Sequence, residues 1–273
     1  MTAASPTILV FDSGLGGLTV HREIVKLRPD ARFIYAADDE AFPYGRLAEA
    51  ELSKRVVAVM AALIEAHRPD LIVIACNTAS TLVLAELRTR FTVPFVGTVP
   101  AIKPACAASQ TRLVSVLGTE ATVAREYTKT LIRDYGQGCD LTLIGSRRLA
   151  VMAEALLHGE DIDDEDIAEE ILPCFLEKDG ARTDTIVLAC THYPLLLERF
   201  TRIAPWPVTW LDPAPAIAKR VVALIGTRPD GAPDGAASFI LLSGGQPAGG
   251  LAAGLEPFGF RDISPFDRLK LSS

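Results

Sequence analysis

Short apolar runs alternate along this chain with longer stretches in which apolar positions recur every three or four residues. The first run, residues 7–11, is rich in β-branched side chains and predicts a buried strand. Residues 18–27 follow with helical spacing. The alternation continues with a strand at 32–36, a long helix at 49–66, a strand at 70–75, a helix at 78–91 and a short strand at 94–96. It then restarts: strand 112–117, helix 121–135, strand 141–144, helices 148–157 and 164–179, strand 185–189, a helix near 195–200, strand 208–211 and helix 213–225. A Pro- and Gly-rich loop covers 226–236, and strands at 238–242 and 261–269 end the chain. Continuous apolar strands suit a mostly parallel sheet covered by helices on both faces, so the predicted fold class is α/β.

Two segments repeat in kind. Leu71-Ile72-Val73-Ile74-Ala75-Cys76-Asn77-Thr78 resembles Thr185-Ile186-Val187-Leu188-Ala189-Cys190-Thr191-His192. Each is an apolar strand ending in Ala-Cys with a polar pair after the cysteine. Upstream, strand 7–11 runs into Asp12-Ser13-Gly14 and strand 112–117 into Gly118-Thr119. The repeat predicts two similar parallel-sheet α/β domains.

Composition narrows the class. The chain has 273 residues, 49% of them hydrophobic, which is enough for two modest cores. A formal net charge of −7 argues against a general nucleic-acid binder, because phosphate contacts need clustered Lys and Arg. No apolar run approaches the ~20 residues of a membrane span. Residues 1–6 lack a basic segment followed by an apolar stretch, so no secretory signal is read there. The cysteines are Cys76, Cys106, Cys139, Cys174 and Cys190, an odd number with no CxxC pair. Neither a disulfide framework nor a metal site is expected, and the reading is a cytoplasmic protein with reduced thiols.

In open α/β sheets ligands bind beyond the carboxyl ends of the strands. Four polar clusters fall there: Asp12-Ser13, Cys76-Asn77-Thr78, Thr119 with Thr122, and Cys190-Thr191-His192. Each precedes a predicted helix, whose free N–H groups suit a carboxylate and lower the pKa of a cysteine. Each also has a plainer reading. A cysteine at a strand end is commonly a small buried hydrophobe, Asp12 could cap the next helix, and His192 could be structural. The paired placement of Cys76 and Cys190 favours chemistry, whereas Cys106, Cys139 and Cys174 read as packing. Gly14-Leu15-Gly16-Gly17 is half of a dinucleotide fingerprint without the full GxGxxG. It reads as a tight turn that brings backbone amides to a ligand.

Taken together, Phe11-Asp12-Ser13-Gly14-Leu15-Gly16-Gly17-Leu18, Phe42-Pro43-Tyr44-Gly45, Ala75-Cys76-Asn77-Thr78-Ala79-Ser80, Leu117-Gly118-Thr119 with Thr122, and Ala189-Cys190-Thr191-His192-Tyr193-Pro194-Leu195 resemble the glutamate racemases of the aspartate/glutamate racemase superfamily. The resemblance implies two domains related by a pseudo-twofold with the ligand between them, the second inserted in the first: residues 1–98 with 210–273, and 99–209. It implies cofactor-independent racemisation of glutamate, with Cys190 taking the α-proton of the L-enantiomer and Cys76 delivering one to the opposite face. Asp12 is expected beside Cys76 and His192 beside Cys190. Ser13, Pro43, Tyr44, Gly45, Asn77, Thr78, Thr119, Thr122 and Thr191 are expected to hold the substrate. No cofactor, nucleic acid or membrane is implied. A homodimer supplying D-glutamate for peptidoglycan is.

One segment departs from the family pattern. Ser146-Arg147 stands where the family often has Cys-Pro, and Glu154 lands where an acid supports the histidine side. Other readings stay open at this stage. One is an aspartate racemase. Another is a cysteine amidase using Cys190 with His192, which gives Cys76 no role. A third is a binding module whose thiols are packing.

Overall fold

The computed structural model describes residues 5–233, 238–244, 250–260 and 262–265. Strand β1 (Thr7–Asp12) leads into helix α1 (Leu18–Leu27), then β2 (Arg32–Ala37), α2 (Glu49–His67), β3 (Leu71–Ile74), α3 (Asn77–Arg90) and β4 (Phe95–Gly97). After α4 (Ile102–Ala108) come β5 (Leu113–Thr119), α5 (Glu120–Ala124), α6 (Glu126–Tyr135), β6 (Asp140–Ser146), α7 (Leu149–Leu157) and α8 (Asp164–Ile171). A small hairpin, β7 (Glu177–Lys178) and β8 (Ala181–Arg182), precedes β9 (Thr185–Ala189), α9 (Leu197–Ile203) and β10 (Thr209–Leu211). Helix α10 (Ala214–Ile225), β11 (Ser238–Leu242), α11 (Leu251–Leu255) and β12 (Asp262–Pro265) complete the described chain.

The strands form two parallel sheets and the antiparallel hairpin. One sheet has the order β12-β11-β2-β1-β3-β4 and the other β10-β9-β5-β6. Read outward from their centres, β2-β1-β3-β4 and β6-β5-β9-β10 are the same arrangement. The repeat seen in the sequence is therefore a repeat of topology, with β3 matching β9 and β1 matching β5. The two Ala-Cys segments leave their sheets from equivalent strand ends.

The central strands are mostly apolar because both faces are covered. In β1, Ile8, Leu9, Val10 and Phe11 are fully buried, as are Leu71 to Ile74 of β3. Alternate residues of β1 point into different clusters: Ile8 and Val10 pack with α1 and α10, Leu9 and Phe11 with α2 and α3. Each such side chain contributes roughly 1.5–3 kcal/mol on burial. No helix among the described residues is long and apolar enough to cross a membrane.

Three elements differ from the sequence expectation. The helix expected over 164–179 ends at Ile171, because Pro173 lacks an N–H and its ring clashes with the preceding turn. The hairpin that follows turns at Asp179-Gly180, both at positive φ (51° and 79°), an Asp-Gly turn signal hidden in an apparently helical pattern. The helix expected over 121–135 is two, broken where Arg125 is extended. Helices α4 and α11 are too short for any periodic signal. Of the last strand, Asp262–Pro265 is seen and the remainder of 261–269 lies outside the described residues, as do 234–236 of the loop.

Candidate active site

The site is built from the strand ends. Asp12 and Ser13 leave β1, Cys76 caps the start of α3, Thr119 ends β5 and Cys190 follows β9. A small chamber of about 20 Å³ lies among them, lined by residues of both sheets. Cys76 and Cys190 both face it, as do Ser13, Pro43, Tyr44, Gly45, Asn77, Thr78, Thr119, Thr191 and His192. Asp12, Thr122 and Glu154 stand one contact behind it. Phe42, which opens the Phe42-Pro43-Tyr44-Gly45 segment, and Ala150 also line it, although neither was expected to hold the substrate. Phe42 packs at a tilt of 42° against the His192 ring, with the ring centroids 5.2 Å apart.

Cys76 is buried and its Sγ lies 3.6 Å from the Ser13 hydroxyl. A helix N-terminus alone would lower its pKa. Burial is the stronger effect here, and with the Asp12 charge nearby it pushes the Cys76 thiol up to about 12. Cys76 is therefore a protonated thiol at neutral pH. A native-state titration of thiolate absorbance, compared with Cys76→Ser, should show no difference step near the ~8.5 of a free thiol. A step there would contradict this assignment.

Cys190 has a different neighbour. Its Sγ is 3.8 Å from Nδ1 of His192, while Nε2 of the same ring is 2.8 Å from Glu154 Oε2. Burial works against a charge on His192, but the Cys190 sulfur and the Glu154 carboxylate outweigh it and hold the imidazole well above its usual pKa. A proton on Nε2 lets the ring donate to Glu154 at 2.8 Å, while the Gly16 N–H points at the same nitrogen and Nδ1 is left to meet the Cys190 sulfur. Cys190 thus faces a cation, and Cys76 does not.

Asp12 is fully occupied. It accepts from Ser13 N at 2.7 Å, from Gly17 N at 2.5 Å and from the Thr191 hydroxyl at 3.0 Å. Burial raises its carboxyl; the His192 charge and these donors oppose the shift. Asp12 therefore reaches Cys76 through Ser13 while holding the loop of Cys190.

The glycine turn is used differently from the sequence expectation. Its amides are directed at protein side chains: Leu15 N donates to Glu154 at 3.1 Å and Gly16 N approaches His192 Nε2 at 3.1 Å. The turn from one sheet thus positions the acid/base groups of the other. Glu154 sits on α7, and Ser146 accepts from Leu149 N at 3.0 Å to start that helix. The altered segment still places its acid.

Polar groups remain for a ligand. Both side-chain ends of Asn77 are buried without a protein partner, a cost of about 1–3 kcal/mol per group that a bound amino acid could offset. The hydroxyls of Thr78, Thr119 and Thr122 meet at 2.9–3.3 Å. They bring donors from both sheets to one spot. The Tyr44 hydroxyl is turned away, donating to Asp38, which Arg55 also grips. An ion pair, Arg125 Nη1 to Glu49 Oε1 at 2.9 Å, joins α2 of the first sheet to the segment after α5 in the second. Neither Asp38 nor this pair carries a signal in the sequence.

The profile of the Asp/Glu/Hydantoin racemase family matches residues 19–221. The glutamate racemase of Brucella anthropi is 56% identical over 226 residues, covering 82% of this chain and 81% of that protein. That of Sinorhizobium fredii is 54% identical over 219 residues, 80% of this chain and 82% of the other. In three dimensions, Escherichia coli glutamate racemase in complex with L-glutamate and the activator UDP-MurNAc-Ala superposes with a TM-score of 0.87 and 41% identity, covering 96% of this chain and 98% of that one. With two like sheets presenting a cysteine each to one chamber, and matches of this extent, the chain belongs to the Asp/Glu/Hydantoin racemase family.

Proposed function

We propose that this protein interconverts L- and D-glutamate without a cofactor, using Cys190 and Cys76 as opposed acid/base groups. The observation that carries the reading is that both sulfurs, from equivalent strand ends of the two sheets, line the same chamber. The relatives named as glutamate racemases, and the likeness to an enzyme solved with L-glutamate, support the substrate. We assign the reaction to the cytoplasm, as a supply of D-glutamate for peptidoglycan.

In this scheme the L-to-D direction uses Cys190, its sulfur beside His192, as the base and Cys76 as the thiol that gives a proton. Cys190 takes the α-proton of L-glutamate, and the Cys76 S–H gives its proton to the opposite face. The enzyme is left with Cys190 as thiol and Cys76 as thiolate, and protons exchanged through His192 and Ser13 restore the resting form. Asn77 and the three threonine hydroxyls hold the ligand's charged ends, and the water-poor chamber strengthens every aimed donor. The enantiomers have equal free energy, so kcat/KM must be equal in the two directions; asymmetry of the sulfurs appears in kcat and KM separately.

A chamber of about 20 Å³ has room for about one water molecule. Glutamate therefore enters only when the two units part, and we propose that they hinge where the chain crosses between them, near residues 98 and 210. Glu49→Gln leaves the buried Arg125 without its carboxylate. The Glu49 side chain is 69% exposed, which limits the pair to ~1 kcal/mol. Steady-state kinetics should show KM rising about fivefold, with Glu49→Asp recovering part of it.

Circular dichroism of L- and of D-glutamate, each with purified protein and no additive, tests the function. Both signals should decay to zero, and aspartate should respond far more slowly. Unchanged signals, or faster decay with aspartate, would overturn the reading.

A further inference from the structure

Outside the chamber lies a larger cavity of about 340 Å³. It shares Pro43, Gly45, Thr119 and Ala150 with the chamber, so the two are neighbouring spaces with a common wall. Its outer rim carries three charged side chains, Arg46, Glu120 and Arg147. Arg147 Nε contacts Glu120 Oε2 at 2.5 Å, and that pair is close to neutral. Arg46 has no ion-pair partner among the described residues. The rim is therefore locally positive on a chain whose net charge is −7.

We infer that this cavity is the antechamber in which the anionic amino acid is first held, and that Arg46 is the residue that binds its carboxylate there. The inference rests on the glutamate reading above. A protein of net negative charge repels a substrate bearing two carboxylates, and a local cation at the mouth offsets that repulsion. Admission also takes time, because the chamber must open first. A site outside the door raises the local concentration of substrate while it does. Arg46 follows Pro43-Tyr44-Gly45, the segment forming the wall between the two spaces, and Thr119 offers its hydroxyl near that wall. A substrate held by Arg46 lies next to the groups that receive it. Glu120 has the opposite effect: it neutralises Arg147 and so weakens the rim.

Charge variants of opposite sign test this. KM and kcat for L-glutamate are measured by circular dichroism for the native protein, Arg46→Gln, Arg46→Lys and Glu120→Gln, at low and at high salt. Arg46→Gln should raise KM about threefold with kcat unchanged, and Arg46→Lys should stay near native. Glu120→Gln frees Arg147 and should lower KM by a similar factor. Both shifts should shrink at high salt, where rim charges are screened. Equal KM values in all four proteins, shifts of the same sign in Arg46→Gln and Glu120→Gln, or a fall in kcat alone would overturn the inference while leaving the racemase reading intact. Native protein that racemises neither enantiomer would overturn both.

Discussion

Serine in place of either Cys76 or Cys190 is expected to lower racemisation roughly a thousandfold in both directions. The exchange changes one atom in a buried wall, so packing is nearly kept. A serine hydroxyl, however, cannot be anionic near neutral pH and is a far weaker acid than a thiol. The two variants should nonetheless differ in heavy water. Cys76→Ser keeps the Cys190–His192–Glu154 group, which can still take the α-proton of L-glutamate and return a deuteron to the same face. Recovered L-glutamate should gain deuterium without inverting. Cys190→Ser should label D-glutamate instead, and more slowly, because Cys76 must first lose its proton before it can act as the base. If either variant retains near-native turnover, the sulfur it lacks is not an acid/base group.

Gly16→Ala should be nearly as damaging, although residue 16 does not line the chamber. A Cβ there would sit 2.4 Å from His192 Nδ1 and 2.6 Å from the His192 backbone nitrogen. The backbone atom cannot swing aside, so the imidazole or the whole turn must shift. Misplacement by about an ångström costs on the order of a hundredfold in catalysis, and that is the expected fall in kcat. Gly14→Ala is the control. Its nearest neighbours, Glu154 Oε1 and Phe42 Cδ2, stand at 3.0 Å and belong to side chains, so its effect should be smaller. Far-ultraviolet circular dichroism should report a folded protein in both. Native-like kcat in Gly16→Ala would mean that His192 is not held by this turn.

The parts of the site readable from the sequence are those set by local pattern. Apolar strands ending in Ala-Cys mark the two equivalent exits because parallel strands must be apolar on both faces and polar only where they end. The same rule located Asp12 and Thr119. What resisted reading depends on contacts between distant segments. Nothing near Glu49 indicates that Arg125 meets it, and nothing near Leu15 indicates that its amide donates to Glu154. The glycine turn was legible as a tight turn, but its partners were not, because their identity depends on how the two sheets face each other. Pro173 and Asp179-Gly180 are a different case: the breaking signals were present, and the acidic, amphipathic spacing from residue 164 onward obscured them.

The account depends on two sulfurs acting from opposite sides of one carbon. The most direct test is the deuterium content of both enantiomers early in the conversion of L-glutamate in heavy water. Two opposed groups predict a D-product carrying a full deuteron at Cα and a recovered L-substrate still almost entirely protiated. Protium carried over into the product, or equal labelling of product and substrate, would mean that a single group serves both faces.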